Sequence, residues 1–70
     1  MANKSSPHRF IRRKEVKAKT SLSDSEIYRR IHAGTFPAQV KLSEGHAVWI
    51  EAEVDTWIEA RIAEARGVAA

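Results

Sequence analysis

The sequence predicts a mainly α-helical domain with one small β-hairpin, in the order two short helices, a two-stranded hairpin and a closing helix. Three observations predict it. A helix-start signal stands at residues 23–26, an alternating apolar pattern turns at Gly45, and an apolar face recurs at helical spacing from Val54 onward. The 70 residues are enough for one small domain with a single core.

The first third of the chain predicts an arm followed by a short helix. Residues 1–8 are polar, contain a proline and show no periodicity, which favours a disordered N-terminal arm. The letters "RFI" that follow indicate the start of a strand. From Arg13 to Lys19 the chain consists of helix formers, with Val16 as the main apolar contact, so we expect a two-turn helix that ends near Thr20.

The second helix has the clearest signal. In "SDSE", Ser23 and Glu26 have the spacing of a capping box, in which each side chain satisfies the backbone amide of the other. Leu22 and Ile27 flank this start as a hydrophobic staple, and Gly34 has the place of a C-terminal cap. We therefore expect a helix of about ten residues that starts after Ser23.

A hairpin and a final helix complete the predicted domain. Val40 and Leu42 alternate with polar residues, "SEGH" supplies a turn, and "AVWI" resumes the alternation, with Trp49 on one face and Val48 on the other. The stretch after Ile50 then reads as an amphipathic helix with acidic residues in its first turn. We expect the domain to span residues 9–66 and residues 67–70 to form a flexible tail.

The predicted core consists of the apolar residues that recur on one face of each element. Both tryptophans sit in such patterns and are expected to be core residues. The full set is Phe10, Val16, Leu22, Ile27, Ile31, Phe36, Val40, Leu42, either Trp49 or Val48, Val54, Trp57 and Ile58.

Charge is distributed unevenly along the chain. Residues 1–20 carry seven Lys or Arg and one Glu, whereas residues 51–70 carry two Arg and five acidic residues. A basic first third favours a polyanion such as nucleic acid, while the acidic last helix should point away from it.

Several function classes are disfavoured by the same composition. The chain has no Cys, and His8, His32 and His46 lack the spacing of metal ligands, so we expect no metal site and no cofactor. Without a catalytic triad or a phosphate loop we expect no enzyme and no small-molecule ligand. No apolar run is long enough for a bilayer or an export signal, so we expect a soluble, cytoplasmic bacterial protein.

The second helix carries the first set of candidate binding residues. A helix joined by a tight turn to a second helix is the helix-turn-helix arrangement, in which the second helix enters the DNA major groove. Four of its residues point away from the Ile27 face and have base-reading or phosphate-binding side chains. They are Ser25, Tyr28, Arg29 and His32. A solvated helix face without such a role is the alternative.

Two further sets lie outside that helix. A hairpin after a recognition helix is the wing of winged helix-turn-helix proteins, which reaches the neighbouring groove or backbone. Its candidate residues are Lys41, Ser43, Gly45 and His46. The basic run at the start of the first helix, Arg12, Arg13 and Lys14, is suited to phosphate contacts. For each set, a solvated surface is the alternative.

The ordered blocks "IRRKEV", "SLSDSEIYRRIHAGTFP" and "VKLSEGHAVWIEAEVDTWI" resemble the AlpA family of prophage regulators, winged helix-turn-helix proteins related to phage excisionases and to the DNA-binding domain of MerR regulators. The resemblance covers roughly residues 9–62. It implies a DNA-binding activator or excision factor that acts without a cofactor. The resemblance places four residues on the matching recognition segment, namely Ser23, Ser25, Tyr28 and Arg29. It places the segment from Ser43 to His46 on the wing.

Three departures from the family pattern carry expectations. Ser21 stands where the family usually has Gly, so we expect it in a left-handed conformation. Arg30 stands where an apolar residue is common, so its stem should lie along the core or its head should bind a phosphate. Glu44 and His46 make this wing less basic than usual.

The sequence thus predicts a sequence-specific double-stranded DNA-binding protein of phage or prophage origin, a transcriptional activator, an excisionase-type recombination directionality factor, or both. Because one such module makes few base contacts, we expect self-association on DNA, and integrase or RNA polymerase are candidate contacts. Bound to DNA, the protein would be nucleoid-associated. The alternative is a protein-interaction module that binds an integrase or a transcription component, with little DNA affinity of its own.

Overall fold

A computed structural model describes residues 8–67 of the chain. The elements follow in the order β1 Phe10–Ile11, α1 Arg13–Thr20, α2 Asp24–Ala33, β2 Val40–Ser43, β3 His46–Ile50 and α3 Glu51–Ala65. This is the predicted mainly helical, winged helix-turn-helix arrangement. The predicted arm and tail, apart from His8 and Gly67, lie outside the described residues and stay predictions.

The sheet has three antiparallel strands, one more than the predicted hairpin. The strand order is β1-β3-β2, so β3 is central and the short β1 closes its free edge. In β1, Phe10 lies opposite Ile50 and Ile11 lies opposite Trp49. The hairpin pairs Val40 with Val48 and has an irregularity between Lys41 and Ser43. The strand start expected at "RFI" therefore becomes an edge strand that fixes the entry to α1.

The turn between α1 and α2 forms as the sequence predicts. Ser21 has φ 63°, in the left-handed region, and its amide donates to the Lys17 carbonyl at 2.8 Å. Ser23 Oγ accepts from the Glu26 amide at 3.2 Å, and the Ser23 amide donates to Glu26 Oε1 at 2.9 Å. This bond from the Ser23 backbone lowers the pKa of the Glu26 carboxyl group. The two caps fix where α2 begins relative to α1.

Replacing Ser21 with glycine is expected to stabilise the chain by about 0.5–1 kcal/mol, because glycine adopts the left-handed conformation without the Cβ clash but loses more entropy on folding. A thermal unfolding curve followed by circular dichroism should show a higher midpoint for Ser21→Gly. Ser21→Ala keeps the clash and is the control. An unchanged or lower midpoint for the glycine variant would show that the turn carries no strain.

The core lies between the two short helices, the inner face of the sheet and α3. The cluster of buried side chains comprises Ile11, Val16, Ile27, Phe36, Trp49 and Val54, with Leu22, Ile31, Trp57 and Ile58 partly buried against it. The Trp49 indole Nε1 donates to the Pro37 carbonyl at 3.0 Å. Most of the predicted core is thus confirmed, and of the pair left open both Trp49 and Val48 are buried, at 1% and 3% exposure.

Two predicted core residues are exposed instead. Phe10 is 51% exposed and its neighbour Ile11 only 1%. The register explains this, because residues opposite each other in an antiparallel pair share a face, and Ile11 pairs with the buried Trp49. Leu42 is 47% exposed. The irregularity between Lys41 and Ser43 breaks the alternation that had placed Leu42 on the face of Val40.

Trp57 packs at the edge of the core and is also an anchor for two arginines. Its ring meets Phe36 edge-on at 4.9 Å between centroids, and its Nε1 donates to the Thr35 carbonyl at 2.7 Å. The guanidinium carbons of Arg30 and Arg61 lie 5.8 and 5.3 Å from a Trp57 ring centroid. The guanidinium of Arg30 therefore lies against an aromatic ring at the edge of the core, and a phosphate contact by Arg30 stays a prediction.

Candidate nucleic-acid interface

An open groove of about 800 Å³ lies between the start of α1, one side of α2 and the hairpin. We call it the basic groove. Its lining residues are Arg12, Arg13, Lys14, Lys17, Tyr28, Gln39, Lys41, Glu44, Gly45, His46, Ala47 and Trp49. It unites residues from all three predicted sets, namely the basic run, the second helix and the wing. The predicted phosphate contacts Arg12, Arg13 and Lys14 all line it.

The groove is positively charged. Among residues 8–67, five of its lining side chains are Lys or Arg, and Glu44 is the one lining carboxylate. A concave surface lined by charges of one sign concentrates its field and attracts counter-charges. Glu44 stands at the hairpin turn, so the wing is the least basic wall of the groove, as its sequence suggests.

Arg13 is held at the corner where α1 meets α2. Its Nε lies 3.4 Å from Asp24 Oδ1, and the Nζ of Lys17 lies 3.3 Å from the same oxygen. A hydrogen bond with the Tyr28 side chain and, next, the Asp24 charge raise the pKa of the Arg13 guanidinium. Arg13 is therefore a cation that lines the groove and lies close to Asp24.

The exposed α2 face consists of Ser25, Arg29 and His32, which are all solvent-exposed and lie three or four residues apart. None of them lines the basic groove, whereas Tyr28 is half-buried and does. Tyr28 and the exposed α2 face thus occupy neighbouring sides of one helix. Ser23 is also exposed, but its hydroxyl caps the helix by accepting the Glu26 amide.

The hairpin contributes three of its four predicted wing residues to the groove. Lys41, Gly45 and His46 line it, and Ser43 is exposed outside it. Gly45 has φ 73°, which lets the two-residue turn form at little steric cost. His46 Nε2 is shielded from solvent and has no hydrogen-bond partner within the described residues.

Among the polar side chains that line the groove, sequence reasoning missed two, and it also missed one neighbouring residue. Lys17 follows Arg13 by four positions, so helical spacing alone predicts that both share a face. Gln39 precedes β2 and reaches the groove only through the tertiary packing. Asp24 lies in the first turn of α2, and its bridge to α1 appears only in the folded chain.

The acidic residues of α3 are partly used inside the molecule. Glu51 Oε2 lies 3.1 Å from an Arg9 nitrogen and 2.9 Å from Lys19 Nζ, and Lys19 also lies 2.8 Å from Asp55. Lys19, more than Arg9, lowers the pKa of the Glu51 carboxyl group. The Lys19 pairs join α1 to α3, and the Arg9 pair joins the segment before β1 to α3. Within residues 8–67, the ion pairs of the α3 carboxylates with α1 involve Lys19. None of them involves an α1 cation that lines the groove.

Residues 8–67 contain no group of three or more His, Cys, Asp or Glu placed to bind a metal ion. In that part of the chain, no helix has the length and hydropathy needed to cross a bilayer.

Comparison with known proteins agrees with this architecture. The family model of the prophage CP4-57 regulatory protein (AlpA) matches residues 9–62, which include all six elements but the last turn of α3. The chain is also 44% identical over 55 residues to the uncharacterized protein ORF88 of Enterobacteria phage P4. That alignment covers 79% of this chain and 62% of the phage protein, so the chain spans less than two thirds of that relative's length. The chain therefore belongs to the AlpA family of prophage regulatory proteins.

Proposed function

We propose that this prophage regulator binds double-stranded DNA sequence-specifically, through α2 and the basic groove. The observation that carries the proposal is the juxtaposition of two surfaces on α2. One side of the helix contributes Tyr28 to a groove with five cations, and the next side exposes Ser25, Arg29 and His32. Phosphate contacts position a protein on DNA and base contacts specify its site, so adjacent surfaces of these two kinds suit recognition.

Each surface has a distinct role in this proposal. With α2 in the major groove, Arg29 pairs with guanine, and Ser25 and His32 contact neighbouring base edges. The cations of α1 and Lys41 of the wing bind the phosphates on either side, and the Tyr28 hydroxyl joins them. Ser23 positions the start of the helix through its cap, rather than through a base contact.

The regulator acts by binding rather than by chemistry, and no cofactor is required. We propose that it activates transcription, directs excision of the prophage by an integrase, or does both. Residues 9–66 form the DNA-binding domain in this proposal, and several copies bind side by side because one module covers few base pairs. An integrase or RNA polymerase is the expected protein partner, and the cytoplasm, where the DNA lies, is the expected location.

A protein-interaction module is the second candidate, and one surface favours it. On α3, Glu53 and Glu59 are exposed, and the apolar Ile62, one turn after Glu59, is 41% exposed. An acidic surface of this kind is suited to a basic partner protein. In that case the docking surface would be α3, and changes in the basic groove would leave binding unaffected.

Recovery and sequencing of bound DNA separates the two candidates. The purified chain is mixed with sheared DNA from its source at moderate salt, and the bound fragments are sequenced. Enriched sites next to an integrase gene or an attachment site support an excision factor, and an enriched promoter supports an activator. Absence of any enrichment over the input would contradict DNA recognition and favour the protein-interaction module.

A further inference from the structure

Asp24 holds two cations of the basic groove at once. A single oxygen, Oδ1, lies 3.4 Å from Arg13 Nε and 3.3 Å from Lys17 Nζ, and it is shielded from solvent. Arg13 and Lys17 both line the groove, but Asp24 does not. The Asp24 side chain is 47% exposed, so its carboxylate lies beside the groove and neutralises part of the charge that the groove wall presents.

This placement sets Asp24 in competition with DNA. A phosphate that enters the groove must share Arg13 and Lys17 with a carboxylate that already contacts them, and the two anions repel each other. The gain in affinity from DNA contacts comes from neutralising phosphates with free cations and releasing their counterions. Two cations that share a built-in carboxylate contribute less to that gain than two free ones.

Asp24 is not the only neighbour of Arg13. Tyr28 lines the same groove, and its side chain contributes more than the Asp24 charge to the raised pKa of the Arg13 guanidinium, so Arg13 keeps a favourable neighbour when the carboxylate is removed. Ion pairs between partly exposed side chains contribute little to side-chain order. The loss of charge competition should therefore outweigh any loss of orientation.

We propose that Asp24 lowers the affinity of the basic groove for the DNA backbone, equally for all sequences, and so makes binding depend more on the base contacts of α2. The proposal rests on the DNA-binding function proposed above. It assigns to Asp24 a regulatory role that acts through Arg13 and Lys17, without a contact between Asp24 and DNA.

The test compares the parent chain with Asp24→Asn on a labelled duplex of random sequence over a series of salt concentrations. Asparagine keeps the shape of the side chain and removes its charge. We expect binding about threefold to tenfold tighter at moderate salt and a log–log salt slope steeper by about one unit. The control is Glu59→Gln, which changes the net charge equally but at an exposed residue of α3 away from the groove.

Each result has one meaning. Tighter binding by Asp24→Asn alone supports the proposal. Equal binding by Asp24→Asn and the parent, or an equal gain in Glu59→Gln, overturns the role of Asp24 and leaves the DNA-binding function standing. If none of the three proteins binds DNA, the proposed function itself is wrong, and the role of Asp24 with it.

A second comparison tests the proposal in chains that keep Asp24, and it applies if Asp24→Asn does not fold. Lys17→Ala removes a cation that Asp24 already neutralises, whereas Lys14→Ala removes an exposed groove cation outside that pair. We expect Lys17→Ala to lose less affinity for the random duplex than Lys14→Ala. An equal or larger loss for Lys17→Ala would overturn the proposal.

Discussion

Replacing Trp49 with alanine is expected to leave the chain largely unfolded at room temperature. Trp49 is 1% exposed, packs in the core cluster and donates its indole N–H to the Pro37 carbonyl. Removing a buried aromatic side chain costs about 3–5 kcal/mol. A domain of this size has about 4–10 kcal/mol of total stability, so the loss takes much or all of it. Circular dichroism and the dispersion of amide signals in NMR spectra measure the outcome.

Leu42→Ala is the matched control on the neighbouring strand. Leu42 is 47% exposed, so its truncation should change the free energy of unfolding by about 0.5 kcal/mol or less. Comparable losses in the two variants would contradict the placement of the core on the Trp49 face of the sheet.

Replacing Arg29 with alanine is expected to weaken binding to the natural DNA site by about 1–3 kcal/mol while changing binding to random DNA much less. The reason is its place on the exposed α2 face, outside the groove that holds the phosphate-binding cations. Since its side chain is exposed, we expect the folded state to be retained. Equilibrium titrations of the site recovered by sequencing and of an unrelated duplex give the two affinities.

Lys14→Ala is the control for that result, because Lys14 lines the groove and carries the same charge. Lys14→Ala should weaken binding to both duplexes alike, and it should reduce the log–log salt slope of binding by about one unit. If Arg29→Ala also weakened binding to both duplexes equally, Arg29 would be a phosphate contact and the assignment of base reading to α2 would be wrong.

The helices could be predicted closely because their signals are local. The capping box at Ser23 and the glycine at Gly34 involve residues a few positions apart, and both form as expected. The left-handed Ser21 was expected for another reason, namely that the family it resembles usually has glycine at this position. Such features depend on nearby backbone groups and therefore need little knowledge of the rest of the fold.

The strand faces could be predicted only in part, because they depend on register. A strand of two residues has no periodicity, so nothing local shows that Ile11 rather than Phe10 faces the core. In the hairpin, one irregularity was enough to misplace Leu42. The pairing of Ile11 with Trp49, residues far apart in the sequence, decides these faces.

The candidate site divides in the same way. Periodicity predicted that Ser25, Arg29 and His32 share an exposed face, and the structure has them there. The basic groove forms only when α1, α2 and the hairpin pack together. The sequence alone therefore could not predict that Gln39 lines the groove and that Ser43 does not. The link from Asp24 to Arg13 and Lys17 likewise depends on the angle between two helices.

The most direct test of the account is the salt dependence of DNA binding by the parent chain. If the groove cations neutralise about four phosphates, the log–log slope of affinity against salt is about −3.6, and affinity falls roughly a hundredfold from about 50 to about 200 mM salt. A slope of that size, measured on the recovered site, is the result the account predicts. Affinity that does not change with salt, or no measurable binding, would contradict it.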